Sequence, residues 1–162
     1  MRDAVKIGFV IALTVILFMG CDKDKSYPET PVLEFLRMDN LGPDSIALVV
    51  GFQDGDGDIG SRVESPGENE PQCPTLDLLS RYYEMVDGEW VQLPAFNSGW
   101  CVQSLTPIGQ DKTLEGEIIT RLEREINIEE PAPNSDSSRV GLRLRDRAGH
   151  ISNEVFSPLI LN

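Results

Sequence analysis

Asp54, Asp56 and Asp58 alternate with Gly55 and Gly57 in the stretch Phe52-Gln53-Asp54-Gly55-Asp56-Gly57-Asp58-Ile59-Gly60. Three carboxylates within five residues repel one another, and the glycines between them relieve steric limits on the backbone. Oxygen donors at this density suit a hard cation, since calcium takes about six to eight oxygen ligands from carboxylates and carbonyls. The stretch is not an EF-hand: that motif needs glycine at its sixth position and glutamate at its twelfth, where this chain has Ile59 and Ser65. Gly55, Gly57 and Gly60 also match G-x-G-x-x-G. A dinucleotide would then meet the negative charges of Asp56 and Asp58 at its pyrophosphate, and the polar residues 64–74 follow where a helix is required.

A fourth carboxylate belongs with these three. Ile46, Leu48, Val50 and Phe52 share one strand face at period two, and Asp54 continues that series as the strand ends. Val140, Leu142 and Leu144 form a second such series, which Asp146 continues. If these strands are the second and sixth of an immunoglobulin-like sandwich, the loops after them lie at one end, and Asp146 faces the Asp54–Asp58 loop. A calcium ion held by Asp54, Asp56, Asp58 and Asp146 would then resolve like charges that are otherwise buried together. The competing reading is an acidic, solvated turn with Asp146 capping its own hairpin, because Asp-Gly turns also arise for backbone reasons alone.

Other chemistry is thinly represented. A hydrolase would have to use His150 as base, Ser152 as nucleophile and Asp146 as orienter, and no G-x-S-x-G elbow accompanies them. Paired carboxylates for glycoside hydrolysis exist as they would in any acidic chain. The expectation is therefore a non-catalytic module. Trp90, Trp100, Tyr82 and Tyr83 offer either a surface for an envelope protein or glycan, or ordinary core packing. An envelope hydrolase or a carbohydrate-binding protein using the acidic loop end is the alternative.

The elements that must position these residues are short and apolar-alternating. Strands are expected at 32–38, 45–52, 76–86, 89–93, 114–122, 140–146 and 151–161, with Asp87-Gly88 as a hairpin turn. Along 114–122, Leu114, Ile118 and Leu122 point inward while Glu115, Glu117 and Arg121 point outward. Seven strands over this length read as an all-β, antiparallel sandwich of immunoglobulin or fibronectin-III type. A lipocalin-like barrel would want about eight or more evenly spaced strands. Residues 64–74 and 129–138 are rich in Pro, Glu, Ser and Asn and read as loops.

The chain opens with Arg2 and Lys6, an apolar run over 7–19, then Gly20-Cys21, the three parts of a secretory signal. The run is shorter than the about 20 apolar residues of a comfortable span, although an uncleaved anchor is the alternative. Removing residues 1–20 takes away Arg2, Lys6 and Asp3, so the net charge goes from −13 to −14. Such a polyanion should bind neither nucleic acid nor, electrostatically, an anionic bilayer. Residues 21–31 then form a tether and 32–162 the sandwich. Cys73 and Cys101 are an even pair in an oxidising compartment, and a disulfide between them would close a loop worth about 3 kcal/mol. A zinc or redox pair is the alternative, without a C-x-x-C or a second histidine to support it.

Leu17-Phe18-Met19-Gly20-Cys21 resembles the lipobox of bacterial lipoproteins, with Phe18 where that pattern prefers leucine. The resemblance implies cleavage before Cys21 and a multiply acylated cysteine (palmitate among its chains) that anchors the protein without a membrane-spanning helix. Asp22-Lys23-Asp24-Lys25 resembles the charged export tag of Bacteroidota surface lipoproteins, whereas an aspartate after the cysteine retains enteric lipoproteins in the inner membrane. Phe52–Gly60 and Asp146-Arg147-Ala148-Gly149-His150-Ile151-Ser152-Asn153 together resemble a family of small Bacteroidota lipoproteins. Those carry an F-x-D-G-D-G-D-I-G loop and a D-R-A-G-N-x-S-N stretch, with His150 here in place of the asparagine. This implies a lipid-anchored, immunoglobulin-like domain in the cell envelope, at the outer membrane rather than the inner, and adds no activity. Exported protein is accordingly expected to label with palmitate and to expose no reactive thiol. Cys21→Ser should lose both label and membrane attachment; persistence of either, or two titratable thiols in the wild type, refutes the assignments.

Overall fold

The computed structural model describes residues 27–43, 45–61, 74–93, 98–105, 112–123 and 137–161. Cys21, Cys73 and the whole signal segment lie outside them. Among the described residues nine strands run in order: β1 (Val32–Asn40), β2 (Ser45–Asp54), β3 (Leu78–Val86), β4 (Glu89–Gln92), β5 (Ser98–Trp100), β6 (Leu114–Glu123), β7 (Ser137–Leu144), β8 (Val155–Phe156) and β9 (Ile160–Leu161). They form two antiparallel sheets. One is ordered β1-β2-β6; the other is ordered β4-β3-β7-β8, with β5 also on β3 and β9 also on β7. This partition is that of the expected sandwich.

β2 is central in its sheet, which explains its composition. Residues 46–50 are a continuous apolar run, and all five are buried on a strand flanked along both edges by β1 and β6. Its inward series Ile46, Leu48, Val50 and Phe52 packs across the sandwich on Leu78, Tyr82, Val140, Leu142 and Leu144. Tyr82 is therefore core, and Trp100 packs partly buried against it, whereas Tyr83 and Trp90 lie on the outer face of the larger sheet. In β6, Leu114, Ile118 and Leu122 pack on the core as expected, joined by buried Thr120.

β1 carries a bulge between Phe35 and Arg37, so the inward series Leu33, Phe35 resumes at Met38 and Leu36 stands out toward solvent. Asp87 and Gly88, at φ 52° and 85°, make the β3–β4 turn. Positive φ at both central residues is what a tight hairpin requires.

Three differences from the sequence reading have physical causes. β5 is only three residues long and too short to alternate visibly. Ser137 and Ser138, expected in a loop, belong to β7, where pairing with Glu84 and Tyr83's strand outweighs their polarity. The last segment is not one strand but two short ones, because serine side chains twice take over from the backbone. Ser157 donates its amide to the Val140 carbonyl and accepts the Val140 amide on Oγ, which donates onward to Pro158. Ser152 repeats the arrangement with Leu144 and Asn153. The Asn153 side chain then accepts the Leu33 N–H on Oδ1 and donates from Nδ2 to the Leu33 carbonyl, joining β1 to the opposite sheet.

Leu142 is fully buried between the sheets. Leu142→Ala should cost about 3 kcal/mol in chemical denaturation, whereas Ile119→Ala, at a side chain 65% exposed, should change stability by less than about 0.5 kcal/mol.

Candidate cation site

β2 delivers Asp54 inward at its last residue, where the apolar series ends and the carboxylate is fully buried. One oxygen, Oδ2, accepts the amides of Gly57 (2.9 Å) and Asp58 (3.1 Å), curling the loop back over its own strand end. The other, Oδ1, is buried without a hydrogen-bond partner, and so are Oδ1 of Asp56 and Oδ1 of Asp58. Ligand oxygens of the three aspartates lie within 4.8 Å of one another. Such a set is costly alone, since unpartnered buried charge loses its hydration and gains repulsion.

The surroundings hold the loop in this arrangement. Ile59 pairs with Asp146 as an isolated antiparallel bridge, the Arg147 amide donates to the Asp58 carbonyl (3.2 Å), and the Ala148 amide donates to Asp58 Oδ2 (2.8 Å). Arg147 Nη1 reaches the carbonyls of Ile59 (3.0 Å) and Gly60 (2.9 Å) and the Ser104 hydroxyl (3.2 Å). On the far side, the Gly55 amide donates to the Pro28 carbonyl at 2.9 Å. Glycine is required at two of these approaches. A β-carbon on Gly55 would lie 2.2 Å from the Tyr27 carbonyl oxygen, and one on Gly60, at φ +84°, 2.1 Å from that of Gln103.

The two sequence motifs, some ninety residues apart, therefore meet at one end of the sandwich. Asp146 stands beside the loop as expected from the strand phases, and its charge bears on Asp58. Both its oxygens are nevertheless engaged by His150, Oδ1 by the amide at 2.7 Å and Oδ2 by Nδ1 at 2.8 Å. The hairpin cap and the approach to the loop coexist. Ser152 is buried, and its hydroxyl is taken up by Leu144 and Asn153.

Asp77 went unnoticed in the sequence, where a lone aspartate before a strand carries no signal. It is buried, and its Oδ2 accepts the amide and hydroxyl of Ser61 (3.1 and 3.0 Å) and the Val102 amide (2.8 Å). Asp77 thus fastens the segment leaving the aspartate loop to the one leaving β5. Arg147 had a signal, its place in the Asp-Arg-Ala-Gly stretch, but not a readable role.

Burial pushes the Asp54 carboxyl up to about 6, assisted by the charges of Asp56 and Asp58 and opposed by the Asp58 and Gly57 amides. Asp58 is raised by burial and by Asp146 and Asp56, against the Ala148 amide and Arg147. His150 is raised by its hydrogen bond to Asp146. No protein-family model, curated protein or solved structure matches the chain.

Carboxyls raised in the fold hold their protons more readily folded than unfolded, so cation-free stability should fall as pH rises from about 4 to about 6. His150 adds in the same direction at higher pH, losing its contribution as pH rises through its raised value. Asp54→Asn should flatten the decline between pH 4 and 6 in melting curves recorded with a chelator. An unchanged slope would mean that the buried carboxylate is not the cause.

Proposed function

We propose that this chain is a lipid-anchored, non-catalytic module of the cell envelope that serves binding or assembly, with a calcium ion stabilising its acidic end. The observation that carries the cation is the convergence of three buried, unpartnered carboxylate oxygens from Asp54, Asp56 and Asp58. Calcium would take these oxygens, and its remaining positions are supplied by carbonyls or water, as is usual for a hard cation. Asp146 contributes from outside this set: it holds His150 and adds negative charge beside Asp58. Because Asp58 is also tied to residues 147–148, an ion at the loop would brace the junction between the two sheets.

The anchor rests on Cys21 and the lipobox resemblance, and the outer membrane on the resemblance to Bacteroidota lipoproteins. A disulfide between Cys73 and Cys101 belongs to the same reading. Supporting it, the Asp77 amide donates to the Trp100 carbonyl (3.0 Å), which brings the chain just after Cys73 alongside the chain just before Cys101.

Calorimetry with millimolar calcium should detect binding, and the melting temperature should rise by about 5 °C, a shift that chelation removes. Asp54→Asn should abolish the calcium shift while leaving cation-free protein at least as stable as the wild type, because it removes a buried charge. Neither heat nor a melting shift in the wild type would leave the loop as an acidic turn.

A further inference from the structure

The two outer faces of the sandwich carry opposite charge. On the larger sheet, β7 places Arg139 and Arg143 outward, Arg145 continues that alternation one step beyond the strand, and β3 adds Arg81. Glu154 stands over this face and is shared: Arg143 lies 3.3 Å and Arg81 3.9 Å from its carboxylate, which also accepts the Tyr83 hydroxyl. Among the described residues, four positive charges against Glu154 and against Asp77, which lies opposite Arg145 one step beyond the ladder, leave about +2 on this face in a chain of net −13. Its middle is aromatic. Arg139 lies between Trp90 and Phe156, 4.2 and 4.0 Å from their ring centres, and Phe156 is 36% exposed.

The smaller sheet has the complementary pattern. Strand alternation and register put Glu34, Asp39, Glu115, Glu117 and Glu123 outward against Arg37 and Arg121, five negative charges against two positive, or about −3. Arg37 pairs with Asp39 and Glu117, but these side chains are about half exposed, and exposed pairs exchange at little cost. This face is also apolar at its middle, where Leu36 and Ile119 stand 40% and 65% exposed. The β1 bulge leaves a shallow groove beside Leu36, walled by Glu34, Glu115 and Glu117.

Each face thus has an exposed apolar centre, and among the described residues the charges around the two centres sum to opposite signs. We propose that a second copy of this chain is the partner, its acidic three-stranded face docking on the basic, aromatic face of the first. Arg139 is the natural centre of the contact, since a stacked guanidinium presents its donors in a fixed plane to carboxylates. Arg and Trp at the middle of a patch are also the commonest binding anchors. The three strands of the acidic face cover roughly 450 Å² and the path β4-β3-β7-β8 somewhat less, so the contact buries less than about 1,000 Å² in all and belongs to the weak, concentration-dependent class. The contact joins two different surfaces, and unless a rotation closes it into a ring it propagates head to tail.

The test uses the full lipidated chain in detergent, followed by analytical ultracentrifugation at fixed calcium. Wild-type protein should associate with increasing concentration at about 0.02 M salt and disperse at about 0.5 M. Glu115→Arg/Glu117→Arg and Arg81→Glu/Arg143→Glu should each weaken association at least tenfold. Mixing the two variants should restore it, because each then offers faces of one sign only. The glutamates are solvent-facing, so the first variant remains decisive if the second fails to fold. A wild type that stays monomeric at low salt, or association undiminished in Glu115→Arg/Glu117→Arg, overturns the proposal. An assembly that salt does not disperse also overturns it.

Discussion

Asp58 is the residue on which the acidic end depends. Its carbonyl accepts the Arg147 amide, one carboxylate oxygen accepts the Ala148 amide, and the other faces Asp54 and Asp56 without a partner. The loop following β2 therefore cannot relax its repulsion by swinging into solvent without breaking its hydrogen bonds to Arg147 and Ala148. Arg147 reinforces the restraint by holding the Ile59 and Gly60 carbonyls. Positive charge placed at the loop would relieve a cost already present in the fold.

The fold was largely legible because burial is periodic. The inward series on β2 and β7 could be read from alternation alone, and with the strand order of an immunoglobulin-like sandwich they placed Asp54 and Asp146 at the same end. The D-G hairpin was legible because few residues tolerate two successive positive φ angles. What escaped was of a different kind. The bulge at Leu36 adds one residue to an otherwise regular strand, and no residue type announces it. The breaks in the last segment depend on Ser152 and Ser157 accepting backbone amides, a use of serine that resembles any polar residue in a loop. Within the site, the sequence suggested four carboxylates around one centre. Asp146 has a partner four residues away, His150, the hairpin cap that the sequence offered as the competing reading.

Charge segregation was equally hidden. A net charge of −13 suggests a uniformly acidic surface, yet β7 alone sets Arg139 and Arg143 on one side of the larger sheet. Alternation that buries Val140, Leu142 and Leu144 necessarily collects the intervening residues on the other side. The same periodicity that builds the core thus gathers the cations, and the aromatic side chains of β4 and β8 lie beside them because they flank β3 and β7.

The bond between the Gly55 amide and the Pro28 carbonyl has a mechanical consequence. Tyr27 lies six residues beyond Cys21, a span of at most about 21 Å. A lipid on Cys21 would therefore hold the aspartate loop close to the bilayer, with the opposite end of the sandwich farthest away. Tension between that anchor and anything gripping the sheets would arrive first at Pro28 and Gly55. The loop would take the load before β1 did, and an ion seated there would act as a rivet at the point where the domain is pulled.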